Sequence, residues 1–187
     1  MAKFYTRQGD DGFTGLLGEG RLPKSHPRLD AVGAIDEATA AIGLARASCQ
    51  SDQTSPLLLE VQRDLYNLMA EVAATPENAA NFRVIDSSRV SWLEDKIEGI
   101  GETVEMPKEF ILPGDSTSGA TFALARTVVR RAERALVQLY HDGDIENITL
   151  ISYLNRLSSL CFLLELVENK LSGKSTPTLA KGERANQ

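Results

Sequence analysis

Apolar residues along this chain recur with the spacing of helices rather than strands. Val32, Ile35, Ile42 and Leu44, set among alanines, fit a 3.6-residue period and predict a helix from Pro27 or Arg28 to Ser48. A second is predicted from Ser55, read as a capping serine with Pro56 at the first helical position, through LLLEVQRDLYNLMAEVAA to a stop before Pro76. Residues 76–85 read as a loop. A third helix begins near Asp86–Ser87, carries Val90, Leu93 and Ile97 with Trp92 beside them, and ends at Gly99 and Gly101. The segment FILPGDSTSG, residues 110–119, is extended and then turns, and its hydroxyls cap a fourth helix over 117–141. A fifth runs from Asn147 to Leu171. Long helices joined by modest loops argue for an all-α, five-helix up-and-down bundle in one domain, residues 1–171. The polar remainder, 172–187, is expected to be a mobile tail.

The exception to the helical pattern is the opening. YTRQGDDGFTGLLGEGRLPK, residues 5–24, holds Gly9, Gly12, Gly15, Gly18 and Gly20 within twelve positions. Glycine loses entropy when ordered, so the stretch is either a flexible lead-in or a loop whose backbone must approach something closely. It is neither a Walker motif nor a GxGxxG turn after a strand. Successive backbone N–H groups there would cradle phosphate. Thr6 and Thr14 add hydroxyls and Lys24 a positive charge, whereas Asp10 and Asp11 would repel a polyphosphate unless Mg²⁺ lay between them.

Charge sharpens this picture. The chain has 187 residues and a net charge of −6, which argues against a non-specific grip on nucleic acid or an anionic membrane. No apolar run reaches the ~18 residues of a membrane span, and the start shows no signal peptide. Cys49 and Cys161 have no metal-like spacing. A reduced, cytoplasmic protein is expected. Against the acidic background, ARTVVRRAERALVQLY in the fourth helix sets four arginines within nine positions. At ~100° per residue, Arg126, Arg130 and Glu133 fall within about 60° of one another and border the apolar face, Arg134 lies further round, and Arg131 points away. Two readings stand: a solvated flank with Glu133 pairing to Arg130, or guanidinium forks aimed at phosphate.

Two other positions carry the same ambiguity. In SYLNRLSSLCFLLEL, residues Ile151, Asn155, Ser158 and Phe162 share a stripe, and Asn155 there either satisfies an inter-helix bond or contacts a ligand. Asp36 and Glu37 interrupt AVGAIDEATAAIG; Glu37 is expected in solvent, and Asp36 at a seam, facing an arginine of another helix or another subunit.

Taken in order, the glycine-rich opening, VGAIDE, FILPGDS, ARTVVRRAER and YLNRLSSLCF resemble the PduO-type ATP:cob(I)alamin adenosyltransferases, also known as the methylmalonic-aciduria type B family. The resemblance spans residues 3–171. It implies a five-helix bundle assembled as a homotrimer with active sites between subunits, Mg²⁺-dependent transfer of the 5′-deoxyadenosyl group of ATP to cob(I)alamin, and release of triphosphate. By that resemblance Thr6, Arg7, Gln8, Gly9, Thr14, Gly15 and Lys24 hold the nucleotide, completed by Arg130, Arg131, Glu133, Arg134 and Asn155. It likewise implies that Arg126 and Asp36 pair across the subunit interface, and that Phe110 packs on the lower face of the corrin. Gln8 stands where threonine is usual, Asp115 where a second glycine is, and Ser159 where aspartate is. The last two bear on how the corrin is accommodated.

The chemistry so implied suits the residues. Cob(I)alamin is its own nucleophile, and His26 and His141 have no evident triad partners. Lys24, Arg130, Arg134 and Mg²⁺ would stabilise charge on the departing triphosphate, and Phe110 would exclude a lower axial ligand so that cobalt is more readily reduced. A reductase and an adenosylcobalamin-dependent enzyme are the implied partners. Two other functions remain to be separated from this one: a carrier that binds ATP and delivers adenosylcobalamin with little turnover of its own, and a structural bundle whose arginines only tie subunits together.

Overall fold

Helix starts in this chain are set by small polar groups that satisfy otherwise unpaired backbone donors. The computed structural model describes residues 4–181, and all that follows concerns those. Helix α1 (Pro27–Ser48) opens at His26, whose Nδ1 accepts from the Arg28 N–H at 3.1 Å, with Pro27 in its first turn. Asp86 caps α4 (Ser87–Gly101) through the N–H groups of Ser88 and Arg89. Ser116 caps α5 (Thr117–His141) through Gly119, and Asn147 caps α6 (Ile148–Leu171) through Thr149. Helix α2 (Thr54–Ala73) departs from expectation. The Thr54 N–H bonds to the Ser51 carbonyl at 3.1 Å, so a turn winds the chain into the helix before Ser55. Pro56 then sits in the first turn, where its missing N–H costs nothing. The stretch read as a loop begins with α3 (Pro76–Ala79) and a 3₁₀ turn at Ala80–Phe82.

The long helices follow one another across the bundle in the order α2, α1, α5, α6, α4. A buried polar knot joins the two ends of that order. The Tyr153 hydroxyl on α6 donates to Asp64 of α2 at 2.7 Å, and Arg89 of α4 donates to the same carboxylate. Ile35, Ile42, Leu58, Leu65, Leu93, Phe122, Leu136 and Leu150 are fully buried in the shared core. By length and hydropathy, α6 would also qualify to cross a bilayer. It is instead the central helix, packed between α5 and α4, which explains why it is apolar nearly all round.

Two segments are more structured than their sequence indicates. The glycine-rich opening forms a hairpin of β1 (Phe13–Gly15) and β2 (Arg21–Pro23), with Thr14 opposite Leu22. After residue 171, where a mobile tail is expected, the chain as described to residue 181 returns to the segment ahead of α5. The Leu112 N–H donates to the Thr178 carbonyl and the Ala180 N–H to the Phe110 carbonyl, each at 2.7 Å. Asp115 fastens this pairing, accepting from the Thr178 hydroxyl at 2.6 Å and its N–H at 2.9 Å. Residues 1–3 of the expected domain and 182–187 of the expected tail lie outside the described residues.

Candidate active site

Helices α5 and α6 pack along their length and present the arginine-bearing flank of one beside the polar stripe of the other. Between them and the 106–113 segment opens a cleft of about 750 Å³. Arg126 and Arg130 line it from α5, and Ser158, Ser159, Phe162 and Glu165 from α6. Phe110 stands at its edge, 87 % exposed. Its backbone is fixed by the returning tail, so an aromatic ring is held out to solvent on a tethered strand.

The arginines of α5 divide by environment. Arg126 is half-buried and its Nε has no hydrogen-bond partner. Arg130 and Arg134 are exposed and make no ion pair among the described residues, so the expected Glu133–Arg130 pair does not form. Glu133 instead accepts from the Asn155 amide at 2.9 Å, and Asn155 accepts from Arg156 at 2.9 Å. The asparagine on the apolar stripe is thus a satisfied link between α5 and α6. Arg131 pairs with Glu37 of α1, so Glu37 is not an idle solvent acid. Asp36 is exposed, with no partner within the described chain.

The hairpin has its own internal logic. Arg21 donates to both Asp11 oxygens at 2.8 Å and to the carbonyls of Gln8 and Phe13, binding the turn to both strands. That contact holds the Asp11 carboxyl below the usual carboxylate range. Asp11 is therefore occupied, and Asp10 alone remains of the two acids. Arg7 has φ 61° and Thr6 accepts from the Gln8 N–H at 3.4 Å. The Lys24 ammonium lies close over Gly9, where a Cβ would meet Nζ at 2.7 Å, and a Cβ on Gly18, at φ 138°, would meet Thr75 Oγ1 at 2.6 Å. Thr14 and Gly15 lie on β1. Leu17 exchanges backbone bonds with Ala73 and Thr75, which seats the hairpin at the far end of α2. No hydrogen bond or ion pair among the described residues joins the hairpin to Arg126, Arg130 or Arg134. The chain therefore brings Phe110, Arg126 and Arg130 together at one cleft and holds Thr6, Arg7, Gln8, Gly9, Thr14, Gly15 and Lys24 together at another place.

Sequence reasoning missed Glu165, Arg21 and Asp64. Glu165 had a signal. The stripe Ile151–Asn155–Ser158–Phe162 continues one turn to it, so an acid there faces inward. It is only 2 % exposed, one carboxyl oxygen has no partner, and burial pushes its pKa up to about 7 against the pull of Arg126. Cys161, one turn before it, is fully buried and pushed up to about 12 by that burial, an inert thiol.

Comparison with known proteins places the chain in a family. Residues 4–168 match the family model for cobalamin adenosyltransferase. The corrinoid adenosyltransferase of Bacillus subtilis is 38% identical over 177 residues, covering 91% of this chain and 89% of that protein. The corrinoid adenosyltransferase PduO of Citrobacter freundii is 37% identical over 166 residues, 88% of this chain and 49% of that protein. The chain thus spans about half the length of the PduO relatives it matches. Among solved structures, a phenylalanine-to-alanine variant of the PduO-type ATP:corrinoid adenosyltransferase from Lactobacillus reuteri, complexed with cobalamin and ATP, superposes with a TM-score of 0.88 at 31% identity, covering 96% of this chain and 100% of that one. An arginine-to-lysine variant of the Lactobacillus reuteri enzyme, complexed with ATP, gives 0.86 at 30% identity. The chain belongs to the cobalamin adenosyltransferase family.

Proposed function

We infer that this protein transfers the 5′-deoxyadenosyl group of ATP to cob(I)alamin, releasing triphosphate. The cobalt lone pair attacks C5′, the Co–C bond forms, and the C5′–O bond breaks with its electrons leaving on triphosphate. The observation that carries the reading is the cleft that sets Phe110 beside Arg126 and Arg130, in a chain matched over nearly its whole length to corrinoid adenosyltransferases. Its volume and mainly apolar lining suit a flat macrocycle entering edge-on. Phe110 then meets the lower face of the corrin and displaces an axial ligand. Arg130 and Arg134, which make no ion pair among the described residues, take up charge that grows on the phosphate oxygens.

The nucleotide residues of the hairpin and those of α5 lie apart in one chain. In the proposed assembly, a homotrimer, the hairpin of one copy closes over α5 of the next. Asp36, exposed on α1, then reaches Arg126 of the neighbour. Among the described residues no group of three or more acidic, histidine or cysteine side chains could hold a metal ion. Mg²⁺ would therefore enter with the triphosphate, ligated by phosphate oxygens and water, and supply further charge neutralisation there.

The test is complementation between defective copies. Lys24→Ala and Arg130→Ala each abolish most steady-state turnover with ATP and chemically reduced cobalamin. Co-expression of the two restores activity at roughly a quarter of the sites, because random assortment regenerates intact sites between unlike copies. No recovery in a mixed oligomer of proven composition would show that each chain builds its site alone. Absence of triphosphate release from the parent protein would sink the adenosyltransferase reading itself.

A further inference from the structure

Two residues that line the cleft carry complementary polar atoms, Arg126 Nε and Glu165 Oε1, to which the proposed reaction gives no role. Arg126 Nε is a buried donor without a partner, and Glu165 Oε1 is a buried acceptor without one. Both residues line the same cleft, and they are close enough for the guanidinium to act electrostatically on the carboxyl, yet they are not hydrogen-bonded to each other. An orphaned polar group of this kind costs free energy in the folded chain. Both belong to residues that line one cavity, and ligand sites carry a few convergent polar groups of this kind. The ligand group must accept from an N–H and donate to a carboxyl oxygen at once. A primary carboxamide does this with its C=O and NH₂, and carboxamides are what the rim of a corrin carries.

Resting on the adenosyltransferase reading, we propose that Arg126 Nε and Glu165 together bind one rim carboxamide of the corrin, and so select amidated corrinoids over those bearing a carboxylate at that position. The carboxamide oxygen accepts from Arg126, and its NH₂ donates to Glu165. The Nη groups of Arg126, which are not among the buried orphaned atoms, remain for a carboxylate of a second copy. A carboxylate in the same place keeps its bond from Arg126 but sets its second oxygen against the oxygens of Glu165. The charged groups that bear on Glu165 are Arg126 on α5 and Asp115 ahead of it, with Cys161 on its own helix; Lys108, Glu109 and Arg130 stand elsewhere around the cleft. Below about pH 7 Glu165 gains a proton and donates to the carboxylate, so the penalty fades. Above it the acid is ionised and the penalty is full.

The experiment is an absorbance titration of the full-length protein, with ATP present, by cob(II)alamin and by each positional isomer in which one rim carboxamide is hydrolysed to a carboxylate. The parent protein should bind one isomer about tenfold more weakly than cob(II)alamin at pH 8, and the gap should narrow at pH 6. Glu165→Gln, which offers an NH₂ to the carboxylate, should close the gap at both pH values while still binding cob(II)alamin. Glu165→Leu, isosteric enough to keep the helix packed, should bind cob(II)alamin more weakly and lose the discrimination. If the parent binds cob(II)alamin but treats every isomer alike, or if Glu165→Leu reproduces the parent's pattern, the carboxamide site is refuted and the adenosyltransferase reading stands. If the parent binds no corrinoid at all, both fall.

Discussion

Phe110 shows what a single side chain reveals when its surroundings are known. It is 87 % exposed, so its truncation removes no core contact. Phe110→Ala should therefore shift stability by no more than about 0.5 kcal/mol, which a thermal melt would register. ATP affinity should be kept, while turnover starting from Co(II) falls by at least about tenfold. Parent-like turnover in that variant would remove Phe110 from the mechanism. Arg126 and Arg130 are legible in the sequence because arginines at the border of an apolar face break a local pattern, whereas Phe110 enters through the resemblance to the family. Glu165 continues the inward stripe of α6 by one turn, but its burial and its unpartnered oxygen depend on packing that LLELVEN does not spell out. The partners chosen by Glu133 and Arg131 were equally hidden, since several opposite charges stood at compatible spacing and only packing selects among them.

At the scale of elements, periodicity found every long helix because each buries one face in a common core. It failed where structure depends on distant backbone. The hairpin exists through the Arg21 staple and its seat on the end of α2, and the tail pairs with residues 110–112, 70 positions earlier by the Phe110–Ala180 bond. Neither segment has an apolar face to announce it. The tail pairing carries a pH dependence. Its bonds from Thr178 depress the pKa of Asp115, so their contribution is present above the ordinary aspartate value near ~4 and lost as pH falls through the depressed one. Protection factors of the Leu112 and Ala180 amides, taken against the intrinsic rate at each pH, should be high at neutral pH and fall in acid, with Asp115→Ala low throughout. Protection unchanged in that variant would mean that the backbone bonds hold the tail unaided.

For the whole molecule, the bundle class followed from the sequence, and the location of its functional halves did not. Helical period says which face is inside but not which end of a bundle a loop is stitched to. That stitching seats the hairpin at the end of α2, and no hydrogen bond or ion pair among the described residues joins it to the α5 arginines. The apolar character of α6 belongs to the same scale: it reflects a helix surrounded by others, and its meaning changes with its neighbours rather than with its letters.

Arg28, buried at the start of α1, donates to the carbonyls of Val72 and Ala74 and to that of Asp144 at 2.5 Å. One guanidinium thus moors the last turn of α2 to the α5–α6 connection, and the hairpin hangs from that same last turn at Ala73. A genetic screen for impaired nucleotide use should therefore recover substitutions such as Arg28→Met, although that side chain touches neither substrate. Geneticists mapping such alleles by proximity alone would draw the catalytic boundary too wide, around a mooring post rather than a workbench.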